Sequence, residues 1–213
     1  MSTFQDRVST EAPQSKRDIA RERRREAIIQ KAAALFYRYG YGSTTMTMVA
    51  NAVGGSKGTL WSYFGTKELL LTAVVDGASA EFHDAIRSAF RPSDDVRNST
   101  IDLCRIATER MLEPDISGLF RIVVTEGQNH REIKTIFYDR GPRFVRLCLT
   151  EYLTCAIGPT ESERIAPQIL SLVMGYRLRC IFEPELRTSA AISDFFTEII
   201  PVLLAKKADR NWR

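Results

Sequence analysis

A chain of 213 residues, 44% of them hydrophobic, is long enough to bury a real core and to form one or two domains. No apolar run approaches the ~18–20 residues of a membrane-spanning helix. The polar start MSTFQDRVSTEAPQSKRD has no apolar centre of a secretory signal, so a cytoplasmic protein without a membrane partner is expected. The net charge of +4 is unevenly divided: residues 1–67 carry 11 Lys/Arg against 5 Asp/Glu, and residues 68–213 carry 19 against 21. A basic first third points to a polyanionic partner for that part alone; the plain alternative is a solvated basic face.

Residues 1–15 are polar, lack apolar periodicity and read as a flexible tail. A helix begins at Asp18, with Ile28, Ala32, Leu35, Phe36 and Tyr39 on one face, and Gly40 ends it. Its start holds Lys16, Arg17, Arg21, Arg23, Arg24 and Arg25. Cations there oppose the helix dipole, at a cost of roughly a few tenths of a kcal/mol each. A nearby phosphate backbone would offset that cost, whereas solubility is the simpler purpose.

Thr44 to Lys67 reads as two short helices joined by a glycine turn. Met46, Val49, Ala50 and Val53 form one apolar face, and Thr45 stands where an N-cap is needed. Gly54 and Gly55 stop that helix. Ser56 caps a second, Lys57 to Phe64, with Leu60 and Phe64 inward and Lys57, Thr59, Trp61, Ser62 and Tyr63 on the other face. This is the layout of a helix-turn-helix, whose second helix enters a DNA major groove.

The series T-T-x-T-x-V-A-x-x-V-G-G-S-K-G-T-L-W-S-Y-F-G-T-K-E-L resembles the N-terminal domain of TetR-type transcriptional regulators. The likeness extends back through Arg24-Arg25-Glu26-Ala27-Ile28, Ala33, Leu35-Phe36 and Gly40-Tyr41, covering about the first third of the chain. Gly55 departs from the family's frequent Val, and Trp61 from its more usual Tyr. The resemblance implies a dimer that sets two recognition helices about one DNA turn, ~34–36 Å, apart and reads a palindromic operator. By residue type, Lys57 and Lys67, with Thr45, Thr47 and Tyr63, are candidates to hold phosphates. Gly58 lets the backbone approach DNA closely. Ser56, Thr59, Trp61 and Ser62 are candidates to read base edges or thymine methyls, and Trp61 could equally pack against the scaffold.

Thr66 caps a long helix from Lys67 to about Phe90, with Leu70, Leu71, Val74, Val75, Ala78, Phe82 and Ile86 inward; Arg91-Pro92 ends it and Ser93 can cap the next. Helical patterns follow over Asp95–Leu112, Ile116–Gly127 and Arg131–Ala156, the last kinked or divided at Gly141-Pro142 and closed by Gly158-Pro159. The segment from Gly118 to Tyr152 is similar to the C-terminal domain of the AefR-like branch, which implies a helical effector and dimer domain. Two apolar helices, about Ser162–Phe182 and Ala190–Lys206, finish the chain.

An all-α fold of about nine helices is therefore expected, with a tail over 1–15, a three-helix DNA-binding domain over 16–66 and a helical effector and dimerisation domain over 67–213. In TetR-like proteins the last two helices build a four-helix dimer interface, which makes Ile169, Val173, Tyr176, Phe195, Phe196, Ile199 and Leu203 candidates for it; ordinary packing within the subunit is the alternative. Phe120, Arg121, Glu126, His130, Phe137, Tyr138 and Arg143 are candidates to line the cavity of an unidentified small-molecule effector.

Neither histidine, His83 or His130, has a metal-ligand partner four residues on, and no nucleophile elbow, phosphate loop or dinucleotide motif occurs. No enzyme, metal or cofactor is expected. Cys104, Cys148, Cys155 and Cys180 form no CxxC pair and read as buried small hydrophobes. The reading is a ligand-responsive repressor. The alternatives are an architectural DNA-binding protein without a ligand and a helical protein–protein module.

Overall fold

The structure, a computed structural model, describes residues 15–89 and 95–205. Among them ten α-helices and one 3-10 turn follow one another, with no strand. They are α1 (Lys16–Tyr39), α2 (Met46–Val53), α3 (Lys57–Tyr63), α4 (Lys67–Ala89), α5 (Val96–Leu112), α6 (Pro114–Glu126), α7 (Arg131–Arg140), α8 (Pro142–Ile157), α9 (Pro159–Phe182) and α10 (Ser189–Leu204). The 3-10 turn, Pro184–Arg187, joins the last two.

The expected nine helices become ten because the Gly141-Pro142 break divides one stretch into α7 and α8. Proline at the first position of α8 loses nothing by lacking an N–H, since that donor would be an orphan there. The same chemistry moves a second boundary. Pro159 opens α9 instead of closing α8, and Gly158 turns the chain between them at φ 81°. At the other end, a capping box between Ser15 and Asp18 starts α1 at Lys16, two residues earlier than the apolar pattern indicates. Asp95 caps α5, its carboxylate accepting from the Asn98 N–H at 3.0 Å. The tail expected over 1–15 lies outside the described residues except for Ser15. The stop at Arg91-Pro92-Ser93 and the expected helix ends at Phe90 and Lys206 lie wholly outside them.

Two hydrophobic cores hold the helices together. Ile28, Ala32 and Phe36 of α1 pack with Val49 and Ala50 of α2, Leu60 of α3, and Leu70, Leu71, Val74 and Val75 from the first half of α4. Leu119 and Ile122 of α6 and Ile133 of α7 complete that cluster. The second core joins Phe82 and Ile86 of α4 to the inner faces of α5, α8, α9 and α10. Both α4 and α6 contribute to each cluster. Tyr39, expected on the core face of α1, stands 46% exposed at the helix end, and Tyr41 beyond the Gly40 turn is buried in its place. Of the cysteines, all free, Cys104 and Cys180 are buried as expected, Cys148 is half-buried and Cys155 is exposed.

Candidate nucleic-acid interface

The helix-turn-helix is fixed by local hydrogen bonds. Thr45 accepts the Met48 N–H at 3.2 Å, and Ser56 accepts the Thr59 N–H at 3.0 Å. Gly54 takes the left-handed φ 68°, ψ 43° and ends α2, a conformation that L side chains disfavour. Leu60 and Phe64 anchor α3 in the first core. With that face held, Lys57, Gly58, Thr59, Trp61 and Ser62 all point outward and are exposed. Trp61 is 43% exposed, so part of its ring is covered by the chain and part faces outward. A Cβ on Gly58 would meet only Ser56 Oγ, at 3.7 Å, so the fold itself does not require glycine there.

The arginines of α1 lie beside this face. The Arg21 guanidinium stands 6.0 Å from the Tyr63 ring centre and that of Arg25 5.6 Å from the Phe64 ring. An open groove of about 580 Å³, bordered by Arg17, Asp18, Arg21, Ser62 and Tyr63, runs between the start of α1 and the end of α3. Arg24 donates to the Gly54 carbonyl at 3.4 Å and occupies the space a Cβ on Gly55 would take, only 2.7 Å away. The glycine thus leaves room for that arginine.

Lys67 is differently placed from Lys57. Its ammonium donates to the Gly42 carbonyl at 3.2 Å and sits 4.2 Å from the centre of the Tyr41 ring. Burial lowers its pKa, against the raising influence of Glu126, Glu68 and Glu132. The charge is engaged within the chain, in a joint that sequence spacing did not reveal.

That joint takes up three of the seven residues expected around an effector. Glu126, in the last turn of α6, accepts the Tyr41 N–H at 2.8 Å and the Gly42 N–H at 2.5 Å. The His130 ring meets the Tyr41 ring edge-on at 5.3 Å, and Arg121 donates to the Tyr37 carbonyl. Tyr138 is exposed, and Arg143 pairs with Asp139 at 3.2 Å on the surface. Phe120 and Phe137, with Met174, line a cavity of about 30 Å³.

Sequence reading missed the cavity's charged residue, Arg177, which is only 5% exposed. It donates from Nε to the Met111 carbonyl at 3.0 Å and weakly from Nη2 to Ser117 Oγ at 3.5 Å. Its guanidinium lies 3.9 Å over the Phe120 ring. Burial lowers its pKa from the usual arginine value. Withdrawing such an ion from water costs on the order of several kcal/mol when no counter-ion accompanies it. The signal was present: Arg177 follows Ile169 and Val173 at four-residue steps on the inward stripe of α9.

The expected dimer residues divide too. Ile169, Val173, Tyr176 and Phe196 are each at most 2% exposed within the single chain, so they have almost no surface left for a partner; this corrects their assignment. Phe195, Ile199 and Leu203 remain half-buried. The exposed apolar groups of these helices are instead Leu178, Ile181 and Phe182 on α9 and Val202 on α10. No helix among the described residues is long and apolar enough to cross a membrane.

Residues 28–74 match the model of the tetR family of bacterial regulatory proteins, and residues 101–158 that of the C-terminal domain of AefR-like transcriptional repressors. The HTH-type transcriptional regulator BetI of Rhizobium meliloti (strain 1021) is 24% identical over 157 residues, 73% of this chain and 77% of that one. The flavonoid-responsive regulator FrrA superposes with a TM-score of 0.72 at 23% identity, over 89% of this chain and 99% of that one. The SmeT–triclosan complex superposes with a TM-score of 0.66 at 19% identity, over 89% and 93%. These two likenesses establish the shared fold. With residues 28–74 and 101–158 matched to models of TetR-type regulators, and a capped helix-turn-helix presenting its outer face, the chain is similar in both its N-terminal and its C-terminal part to the TetR family of bacterial transcriptional regulators.

Proposed function

We propose that the protein is a repressor that binds a palindromic operator as a homodimer in the cytoplasm and releases it when a small molecule enters the helical C-terminal part. The observation that carries the DNA reading is the outward face of α3, with Lys57, Gly58, Thr59, Trp61 and Ser62 exposed beside the basic groove of α1. Phosphates would be held by Lys57, Thr45, Thr47, Tyr63 and the α1 arginines, leaving Ser56, Thr59, Trp61 and Ser62 for base edges. One such domain buries few bases, so a second, related by a two-fold axis, is needed for a selective complex. The exposed Leu178, Phe182 and Val202 suit that pairing.

Ligand response is supported by α6. Phe120 on this helix lines the cavity, and Arg121 and Glu126 hold the end of α1 and the loop leading to α2. A ligand that fits one position of α6 better than another would change the setting of the DNA-binding helices, by no more than its differential affinity. Two of the solved structures that share this fold are a flavonoid-responsive regulator and a triclosan complex, which suggests an apolar organic effector here as well.

The test is a fluorescence anisotropy titration on DNA from upstream of the protein's own gene, together with sedimentation of the complex. A salt-sensitive, sequence-selective complex of two subunits is expected, with Leu178→Asp plus Phe182→Asp giving a helical monomer that binds far more weakly. Binding without sequence preference that no compound reverses would favour the architectural alternative. No DNA binding would overturn both.

A further inference from the structure

The cavity lined by α4, α5, α6, α7, α8 and α9 carries a full positive charge on a largely apolar wall. Phe82, Phe120, Phe137 and Met174 supply the apolar surface, and Arg177 supplies the charge. Among the described residues no Asp or Glu forms an ion pair with Arg177; its guanidinium meets two neutral oxygens and an aromatic face. Of its five N–H donors, those on Nη1 meet no protein acceptor among the described residues. Ser79, buried on the same wall, is the other polar side chain there.

A structural role for Arg177 accounts for part of this. Met111 lies in the last turn of α5, so its carbonyl belongs to the negative end of a helix dipole. That end is equivalent to roughly half an elementary charge, and a guanidinium carries a whole one. The charge left uncompensated favours an anionic partner, and arginine's planar fork is suited to a carboxylate. The volume of about 30 Å³ has room for little more than a water molecule, so an organic occupant must displace side chains. Met111 and Met174 on the wall are the residues best able to yield, because an unbranched thioether repacks easily.

Resting on the ligand-responsive reading above, we infer that the effector is an amphipathic organic acid, its carboxylate paired with Arg177 and its aromatic or aliphatic body laid against Phe120, Phe137 and Phe82. The bound acid supplies the counter-charge that the wall lacks, and its body pushes on α6 through Phe120. The neutral amide of the same skeleton fills the same space but leaves Arg177 unpaired.

The experiment uses the full chain at pH 7 with naphthalene-2-carboxylate, 4-phenylbutanoate and decanoate, each beside its primary amide, by titration calorimetry and thermal shift. At least one acid is expected to bind tenfold or more tightly than its amide. Arg177→Met should abolish that preference while amide binding persists, and Arg177→Lys should keep the preference at lower affinity. Equal binding of acid and amide, no binding by any acid, or an undiminished preference in Arg177→Met each overturns the inference. Should Arg177→Met not fold, the acid–amide comparison on the unaltered chain decides alone. Operator release separates the two readings. A DNA complex released only by neutral or cationic compounds overturns the organic-acid effector and spares the regulator. Acid preference without any DNA binding overturns the regulator and leaves the anion site standing.

Discussion

Glu126 holds the backbone of Tyr41 and Gly42 through both of its carboxylate oxygens, across 85 and 84 positions of sequence. The helix that walls the cavity is thereby fastened to the loop that opens the helix-turn-helix. In Glu126→Gln, one amide oxygen can still accept a single N–H, but the NH₂ group faces the other donor. We expect a loss of about 1.5–3 kcal/mol in urea unfolding, the range for hydrogen bonds to a charged acceptor. An unchanged midpoint would mean that the clamp contributes nothing to stability.

Gly58 separates folding from DNA contact. Nothing within the chain crowds a Cβ at this position, and alanine is the better helix former by up to about 1 kcal/mol. Gly58→Ala should therefore leave the melting temperature unchanged or raise it. If α3 approaches DNA closely here, the same substitution should weaken operator binding about tenfold, equivalent to ~1.4 kcal/mol. Wild-type affinity in the variant would place the DNA farther from this turn.

Lys57 and Lys67 look alike in sequence and differ in the structure. Lys57 is exposed, whereas Lys67 is engaged with Gly42 and Tyr41. Lys57→Ala should reduce the salt dependence of DNA binding by about one phosphate contact per subunit, so by about two in a dimer. Lys67→Ala should lower stability and leave the salt slope nearly unchanged. Reversed outcomes in log Kd against log salt would restore Lys67 as a phosphate ligand.

Tyr37 predicts how the fold responds to alkali. Burial, and secondarily the charge of Asp115, pushes its phenol up to about 12 from an ordinary 10.0. Below pH 10 both folded and unfolded chains keep the proton, and the full contribution is present. Between 10 and 12 the unfolded chain releases it first, so stability falls as pH rises and this contribution is spent above the folded value. Tyr41 is shifted upward as well, also chiefly by burial. Tyr37→Phe should make the alkaline decline of the melting temperature shallower; an identical decline would remove Tyr37 as its cause.

What could be read in the sequence was what is local. Thr45, Ser56 and Thr66 each cap the helix that follows by reaching three residues ahead, a relation visible in spacing alone. The faces of α2 and α3 follow from the same arithmetic. Glu126, Lys67 and Arg177 escaped because their partners lie 25 to 85 residues away and no local periodicity encodes them. For α9 the apolar stripe was legible but its destination was not. A residue such as Ile169 or Val173 satisfies a dimer face or an internal core equally well until its neighbours are known. The prolines misled for a related reason, since Pro159 after Gly158 ends one helix and begins another with the same two residues.

The sharing of α4 between the two cores bears on how the molecule melts. Leu70, Leu71, Val74 and Val75 close the core of the helix-turn-helix from beyond residue 66, while Phe82 and Ile86 on the same helix belong to the other core. A fragment cut after residue 66 would bare the inner faces of α1 and α3 and have little reason to fold. Heat must take apart both cores to release either, so the helix-turn-helix and the C-terminal bundle are expected to melt as one cooperative unit with a single transition.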